Sequence, residues 1–133
     1  MGEIMQNDII SDAISKIKNA EKAGKNRVII KPISNLLLKI LDLLKEKGYV
    51  GSYEIHQDSK GNFIVLNLIH SINDISTIKP RFPVKVDDYE KFEKRYLPAK
   101  DFGIIIVSTD KGLMTHIDAK AKKLGGKLIA YCY

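Results

Sequence analysis

The feature that most constrains the fold is an uninterrupted aliphatic run at residues 104–107, followed by a polar stretch that reaches His116. Four apolar residues in succession are too few for a buried helix, and they predict a buried strand. Thr115 then stands three residues before Asp118, an arrangement similar to a capping box, which predicts the start of a helix. The sequence therefore predicts a strand, a polar loop and a helix in this order, with the helix running from Leu113 or Thr115 to Leu124.

The predicted loop carries two hydroxyls, an ammonium group and a glycine, at Ser108, Thr109, Lys111 and Gly112. Beside a helix N-terminus, this set suits an oxygen-rich, negatively charged partner. The alternative is a turn in which Ser108 and Thr109 bond their own backbone and Gly112 only makes the bend. Both interpretations are open on the pattern alone.

Positive charge is concentrated in two short segments of the 133-residue chain. The whole chain has 22 Lys and Arg against 16 Asp and Glu, a net charge of +6. Residues 16–31 hold six of these cations and one acid, and residues 111–127 hold five and one acid. This segregation predicts two basic patches and a polyanionic partner. Two solvated helix faces are the alternative.

Residues for catalysis or metal binding are few and scattered. His56, His70 and His116 have no spacing typical of metal ligands. Ser108 with His116 is the one candidate nucleophile and base, but it lacks both a nucleophile-elbow motif and an evident orienting acid. We therefore expect no catalytic residue, no metal and no cofactor.

The chain shows no sign of a membrane or secretory destination. No run approaches the roughly 18 apolar residues that a span requires, and there is no apolar signal-peptide core. Cys132 is the only cysteine, so an internal disulfide is impossible and a reducing compartment fits. We expect a cytosolic protein without a membrane partner.

Hydrophobic periodicity predicts alternating helices and strands in the first half of the chain. In order, these are a helix from a cap at Asn7 or Asp8 to Gly24, a strand at residues 27–31, a helix from Ser34 to Gly48, and strands at 49–55 and 63–69 joined by a hairpin turn at 58–61. The prediction is an α-β-α-β-β domain over residues 1–70, with two helices on one face of a three-stranded sheet.

A polar stretch at residues 71–77 predicts a domain boundary near residue 70. Beyond it we expect a strand at 84–86, a solvated surface helix at 87–96, a helix stop at Gly125 and Gly126, and a final strand with Tyr131 and Tyr133 on one side. The predicted fold class is α/β (α+β), with a second domain at 71–133 that is mostly β with short helices.

The resemblance to a known family lies in the same segments. Residues 102–116 and 125–133 strongly resemble the family of small-subunit ribosomal protein eight, residues 12–20 resemble its first helix, and residues 44–50 resemble the end of its second. The similarity spans nearly the whole chain. Residues 80–84 and 96–99 are similar to the archaeal and eukaryotic form, so the chain is identified as an archaeal-type member.

This resemblance implies an RNA-binding protein of two small α/β domains. The family docks on a helical region in the central domain of small-subunit ribosomal RNA, supports its assembly, and contacts neighbouring small-subunit ribosomal proteins in the cytoplasm, without a small-molecule substrate. Some bacterial members also repress their own messenger RNA. The alternatives from other classes are a small hydrolase or protein-interaction module centred on Ser108 and His116, and a general nucleic-acid binder.

The resemblance also implies which residues contact RNA. They are Ser108, Thr109, Lys111 and Gly112, with Met114 and Thr115 beside them, Gly126 and Tyr133 close by, and Lys18 and Asn19 in the N-terminal domain. Asp110 departs from the family pattern, which has a small neutral residue there in many members. Because an acid would repel phosphates, we expect Asp110 to point away or to fix Lys111.

Overall fold

The computed structural model describes residues 9–99 and 102–133. The chain divides into two compact units, and the division falls between Ser71 and Ile72. The expected helix cap at Asn7 or Asp8 lies outside the described residues.

The first unit is an antiparallel three-stranded sheet with two helices. Its elements are α1 (Ile9–Lys22), β1 (Arg27–Ile30), α2 (Asn35–Glu46), β2 (Tyr53–Asp58) and β3 (Gly61–Asn67), and the strand order is β1-β3-β2. The predicted order of elements is confirmed. The strands β2 and β3 extend to the ends of a two-residue turn, because Asp58 pairs directly with Gly61.

Local sequence explains where the two helices begin and end. Ser34 caps α2, since its Oγ accepts a hydrogen bond from the N–H of Leu37 at 3.1 Å. Gly24 and Gly48 follow α1 and α2 in the left-handed conformation, with φ of 71° and 83°. Their lack of a Cβ makes this conformation inexpensive, so both predicted helix ends are confirmed.

Only one face of the first sheet is buried. Along β3, Ile64 and Leu66 are fully buried, whereas the alternating residues Phe63 and Val65 are half-buried. Ile29 on β1 lies directly opposite Val65 and is 57% exposed. Because side chains alternate between faces along a strand, these three residues share the face that the core leaves open.

The second unit is a five-stranded antiparallel sheet with short helices. Its elements are β4 (Ile75–Thr77), β5 (Pro83–Val84), a 3-10 turn (Val86–Asp88), α3 (Tyr89–Tyr96), β6 (Ile104–Thr109), β7 (Gly112–Thr115), α4 (His116–Ala121) and β8 (Gly126–Cys132). The strand order is β4-β8-β6-β7, and β5 also pairs with β8. The mostly β composition agrees with the prediction.

The predicted polar loop after residue 107 is wrong, because this segment is a β-hairpin. β6 continues to Thr109, and β7 runs back antiparallel to it from Gly112. Leu113 therefore lies in a strand, which excludes it as a helix start. The alternative start is confirmed, since the Oγ1 of Thr115 accepts a hydrogen bond from the N–H of Asp118 at 3.2 Å. The predicted strand at 84–86 is wrong beyond Val84, where the 3-10 turn begins.

The predicted helix stop at Gly125 and Gly126 is also wrong. The chain leaves α4 earlier, at Lys123, which has a φ of 58°. The N–H of Leu124 then donates to the carbonyl of Ala119 at 2.9 Å, the bond that closes a helix end of this type. The two glycines lie beyond this point, and Gly126 already belongs to β8.

The charged run at 87–96 is amphipathic, which corrects the prediction of a solvated helix. In α3, the side chains of Tyr89 and Phe92 join the core of the second unit, and Glu93 is buried as well. Tyr89 also donates from its hydroxyl to the carbonyl of Leu124 at 2.8 Å. Burial raises the pKa of this Tyr89 hydroxyl above its usual value. Because charged residues are frequent in this run, the sequence did not indicate that two of its aromatic residues are buried.

A buried ionic cluster joins α3, α4 and β6. The carboxylate of Glu93 pairs with the ammonium of Lys120 on α4. The Nε2 of His116 lies 3.6 Å from the same carboxylate oxygen, and its Nδ1 accepts a hydrogen bond from the N–H of Ile105 at 3.0 Å. Burial of a charge is tolerated only with such partners, so Glu93 is the group on which the cluster depends.

We predict that Glu93→Ala lowers the free energy of unfolding of the second unit by about 2–3 kcal/mol, because it leaves buried His116 and partly buried Lys120 without their carboxylate. Chemical denaturation followed by circular dichroism measures this loss. Glu90→Ala, at an exposed position of the same helix, is the control and should change stability by less than about 0.5 kcal/mol. Equal effects of the two substitutions would contradict the role of the cluster.

Candidate nucleic-acid interface

The tip of the β6–β7 hairpin is a two-residue turn made by Asp110 and Lys111. Ser108 pairs with Leu113, and Thr109 pairs with Gly112. Gly112 has a φ of 113°, a conformation that L side chains rarely adopt, so glycine is required there by the turn itself. The tight turn places the exposed side chains of Asp110 and Lys111 at the end of the hairpin.

The Thr109 side chain holds this turn together. Its Oγ1 donates to the carbonyl of Gly112 at 2.8 Å and accepts from the N–H of Lys111 at 3.1 Å. Thr109 thus makes the local backbone bonds that one of the two sequence interpretations assigned to both hydroxyls. Ser108 is different, because it is exposed and none of residues 9–99 and 102–133 bonds its hydroxyl. The Ser108 hydroxyl is available to a partner.

The beginning of β8 lies directly beside the hairpin. Thr109 pairs with Gly126, and Ser108 pairs with Lys127. A Cβ at Gly126 would overlap the carbonyl oxygen of Ser108, and a Cβ at Gly125 would lie 2.5 Å from the carbonyl oxygen of Val84. The two glycines are therefore required by close backbone approach, with β6 on one side and β5 on the other.

These elements border an open groove of about 570 Å³, which we call the hairpin groove. It is lined by Pro83, Ser108, Thr109, Asp110, Gly125, Gly126 and Lys127. It brings together three of the residues that the sequence selected, namely Ser108, Thr109 and Gly126. Lys127 was counted in the basic patch and not selected for the site. Its register opposite Ser108 becomes visible only when β8 is paired with β6.

Met114 and Thr115 lie inside the second unit, although the resemblance places them at the interface. Met114 is part of the hydrophobic core, and Thr115 is buried as the cap of α4. Their side chains therefore lack the exposure that direct contact with a nucleotide requires. They contribute by fixing the strand β7, which carries Gly112 at its other end.

Tyr133 is far from the hairpin tip. It lies seven residues after Gly126, which corresponds to about 23 Å along an extended strand. Its ring lies 6.1 Å from that of Tyr131 at an interplanar angle of 13°, and the exposed ring of Phe102 lies 6.3 Å away. Tyr131 and Tyr133 share one side of β8, as predicted. Only the Gly126 end of this strand adjoins the hairpin groove.

The lysines of the second basic segment differ in whether they are exposed or paired with an acid. Lys120 is engaged with Glu93, so its charge is neutralised within the unit. Lys111 and Lys127 are exposed at the hairpin tip and at the hairpin groove, while Lys122 and Lys123 are exposed after α4. The basic patch therefore contains four exposed lysines, two of which belong to the candidate site.

Lys18 and Asn19 lie on α1 in the first unit. Asn19 is exposed and lines a groove with Lys16, Lys25 and Arg27. Lys18 is half-buried and engaged with another residue. Sequence reasoning selected the helical pair but missed Lys25 and Arg27, whose proximity follows from the turn after α1.

The hydrolase alternative centred on Ser108 and His116 is not supported by the structure. His116 is buried, with its Nδ1 bonded to the Ile105 N–H and its Nε2 directed at Glu93. Ser108 is exposed on the strand β6 and does not share a hydrogen bond with this ring. The two residues therefore lack the contact that a nucleophile and its base require.

The described part of the chain contains no group of three His, Cys, Asp or Glu residues placed to hold a metal ion. Across residues 9–99 and 102–133, every helix is too short or too polar to cross a bilayer.

The comparison with known families decides what kind of protein carries this site. A model of the ribosomal protein S8 family matches residues 8–133. The chain belongs to this family. It is therefore a ribosomal protein of the small subunit that binds ribosomal RNA, in a family of structural proteins rather than enzymes.

Membership in the S8 family agrees with the mixed fold of helices and antiparallel sheets. It also confirms at family level the resemblance seen in residues 102–116 and 125–133. In this S8 family member, the residues of the strongest resemblance form the hairpin and the strand β8, which together supply most of the hairpin groove.

We predict that Thr109→Val loosens the hairpin turn of this S8 family member, because valine keeps the shape of threonine but removes the Oγ1 bonds. The amide of Lys111 should lose about 1 kcal/mol of protection against hydrogen exchange. Thr109→Ser retains the oxygen and is the matched control. Unchanged protection of Lys111 in Thr109→Val would show that the turn holds without this side chain.

Proposed function

We propose that the hairpin groove is the surface through which this chain recognises a helical region in the central domain of small-subunit ribosomal RNA. The observation that supports the proposal is that one open groove contains the exposed Ser108 hydroxyl, which no other described residue bonds, the backbone of Gly125 and Gly126, and the Lys127 ammonium. Lys111 adds a second exposed cation at the tip of the hairpin.

The chemistry of the hairpin groove suits an RNA helix. An A-form helix has a deep, narrow major groove, so proteins contact its shallow groove through 2′-hydroxyls, phosphates and irregular bases. The Ser108 hydroxyl both donates and accepts, as a 2′-hydroxyl does. Gly125 and Gly126 let the β8 backbone lie close to β5 and β6, which fixes the shape of the groove. Lys111 and Lys127 supply attraction to phosphates that does not depend on sequence.

The same proposal extends to the cellular role. Docking on the central domain supports assembly of the small subunit in the cytoplasm, beside neighbouring small-subunit ribosomal proteins. Repression of its own messenger RNA is included, since a messenger with a similar helical site would present the same groups to the hairpin groove. Tyr133, Lys18 and Asn19 are further RNA contacts in this proposal.

We further propose an archaeal-type member of the family, on the basis of residues 80–84 and 96–99. The first of these segments contributes Pro83 to the hairpin groove, and Val84 pairs with Gly126. The segment thus forms one wall of the proposed RNA site. Its archaeal-type residues therefore affect which RNA the site can bind.

We predict that Ser108→Ala weakens binding to a cognate RNA helix by about 1–3 kcal/mol, because a polar group of the RNA loses its partner. Titration of labelled RNA measures the dissociation constant, and thermal unfolding checks that the fold is unchanged. Ser59→Ala, at the exposed turn of the other hairpin, is the matched control and should bind normally. Equal affinities of the wild type and Ser108→Ala would remove the hairpin groove from recognition.

We predict that Lys111→Ala makes the negative slope of log affinity against log salt concentration less steep by roughly 0.7–0.9, which is the effect of one lost phosphate contact. Lys60→Ala is the control, because Lys60 occupies the corresponding position in the turn before Gly61. A salt slope that falls equally in both variants would indicate general attraction to charge rather than a contact at the hairpin.

We predict that Asp110→Asn strengthens RNA binding severalfold, because Asp110 is exposed and is one of the residues that line the hairpin groove. The substitution removes a negative charge that faces the proposed phosphates. Asp87→Asn, at an exposed position before α3, is the control. Weaker binding by Asp110→Asn would mean that this carboxylate accepts a hydrogen bond from the RNA or positions Lys111.

A further inference from the structure

The open face of the first sheet carries an apolar strip that the core does not cover. The strip consists of Ile29, Val65 and Phe63, and Ile29 is 57% exposed. The ring of Phe63 is stacked on that of His56 at 5.5 Å and has the ammonium of Lys31 5.1 Å from its centre. A contiguous apolar patch of this kind, which runs from the edge strand β1 onto the central strand β3, indicates a contact with a partner.

Two grooves lead from α1 onto this strip. The first, of about 580 Å³, includes Lys16 and Asn19 of α1, and the second, of about 560 Å³, includes Val65 of β3. The two grooves share Lys25, Arg27 and Ile29. They therefore form a continuous path from the polar side of α1, around the edge strand β1, to the open face. We call this path the β1 groove.

The β1 groove is positively charged. Lys16, Lys25 and Arg27 line it, and no acid does among the residues that the structure describes. Two acids of β2 on the open face are already engaged. Asp58 pairs with Lys31 at 3.2 Å, and Glu54 lies 3.1 Å from the Nε2 of His56.

Asp58 also accepts a hydrogen bond from the N–H of Lys60 at 2.8 Å. This bond, together with the Lys31 ammonium, lowers the pKa of Asp58 below its usual value. The cations that line the β1 groove therefore attract anions, and no acid belongs to its lining within residues 9–99 and 102–133.

We propose that the β1 groove binds unpaired nucleotides of RNA, with phosphates on Lys25 and Arg27 and bases against the apolar strip. A cationic groove beside aromatic side chains is the arrangement by which proteins hold single-stranded nucleic acid, and here the apolar strip supplies Phe63 beside Ile29 and Val65. The exposed amide of Asn19 donates and accepts hydrogen bonds at the entrance, where a base edge presents both kinds of group. The inference rests on the proposed function, to which it adds a second RNA class and a separate site.

An added peptide strand is the competing occupant, because β1 is an edge strand of the sheet. β1 has only four residues, which limits the backbone hydrogen bonds that a peptide gains. Three cations without an acid in the lining favour a polyanion over an uncharged backbone. The charge and the strip together therefore favour RNA.

Binding of the whole protein to a labelled uridine decamer tests the proposal. We expect Ile29→Thr to weaken binding to the decamer about fivefold, because it removes apolar surface under the bases. Ile55→Thr is a matched control, since Ile55 is 51% exposed on the same sheet but pairs with Ile64, whose side chain is on the buried face. The control should bind the decamer as the wild type does.

Charge reversal gives an independent test. We expect Arg27→Glu to weaken decamer binding by about tenfold or more and to reduce its salt dependence. Lys39→Glu, at an exposed position of α2 outside the β1 groove, is the control and should have a much smaller effect. Thermal unfolding of each variant checks that the sheet is intact.

A cognate RNA duplex without unpaired nucleotides separates this proposal from the proposed function. If Ser108→Ala weakens duplex binding but the decamer does not bind, or binds equally to Ile29→Thr and the wild type, the β1 groove proposal is overturned and the hairpin proposal stands. If Ile29→Thr weakens decamer binding but Ser108→Ala leaves duplex binding unchanged, the hairpin proposal is overturned and the β1 groove proposal stands. An assembled small subunit with a protein strand on β1, or with Ile29 facing solvent, would also overturn the β1 groove proposal.

Discussion

Backbone pairing along β8 is the interaction on which the second unit depends. β6 pairs with one edge of this strand over its whole length, while β4 and β5 share the other edge. A register shift between Ile106 and Val107 leaves Ile129 without a partner in β6, and the pairing resumes toward the hairpin tip. Gly126 allows the two backbones to approach there, because any Cβ would overlap the carbonyl of Ser108. The hairpin groove is thus a product of strand pairing.

The sequence predicted the β2–β3 hairpin but missed the β6–β7 hairpin, although their turns use the same chemistry. In both turns a side-chain oxygen, from Asp58 or Thr109, accepts the N–H of a lysine two residues later, and a glycine with positive φ follows. The helix cap at Thr115 was correctly identified, and it led to the inference that a loop precedes it. The four-residue strand β7 is a strand because it pairs with β6, and a local sequence pattern does not show this pairing.

The interior of the second unit was less predictable because its polar anchors come from distant parts of the chain. From the sequence, Glu93 was expected on the surface, Lys120 in a basic patch and His116 apart from the other histidines. In the structure, the three side chains form one buried cluster. The helix α3 was expected in solvent because charges outnumber its two buried aromatics. Long periodic helices were predicted well, since Gly24 and Gly48 end them by local backbone conformation alone.

Counting charges overstates what a basic segment offers to RNA. Lys120 is neutralised by Glu93, and Lys31 is paired with Asp58, so both are held inside their own units. The cations that remain differ in surroundings. Lys127 lies beside the Ser108 hydroxyl and a glycine backbone, whereas Arg27 lies beside exposed aliphatic surface. Because attraction of lysine and arginine to phosphates does not depend on sequence, the neighbours of each cation, and not its charge, would distinguish the RNA bound at the two proposed surfaces.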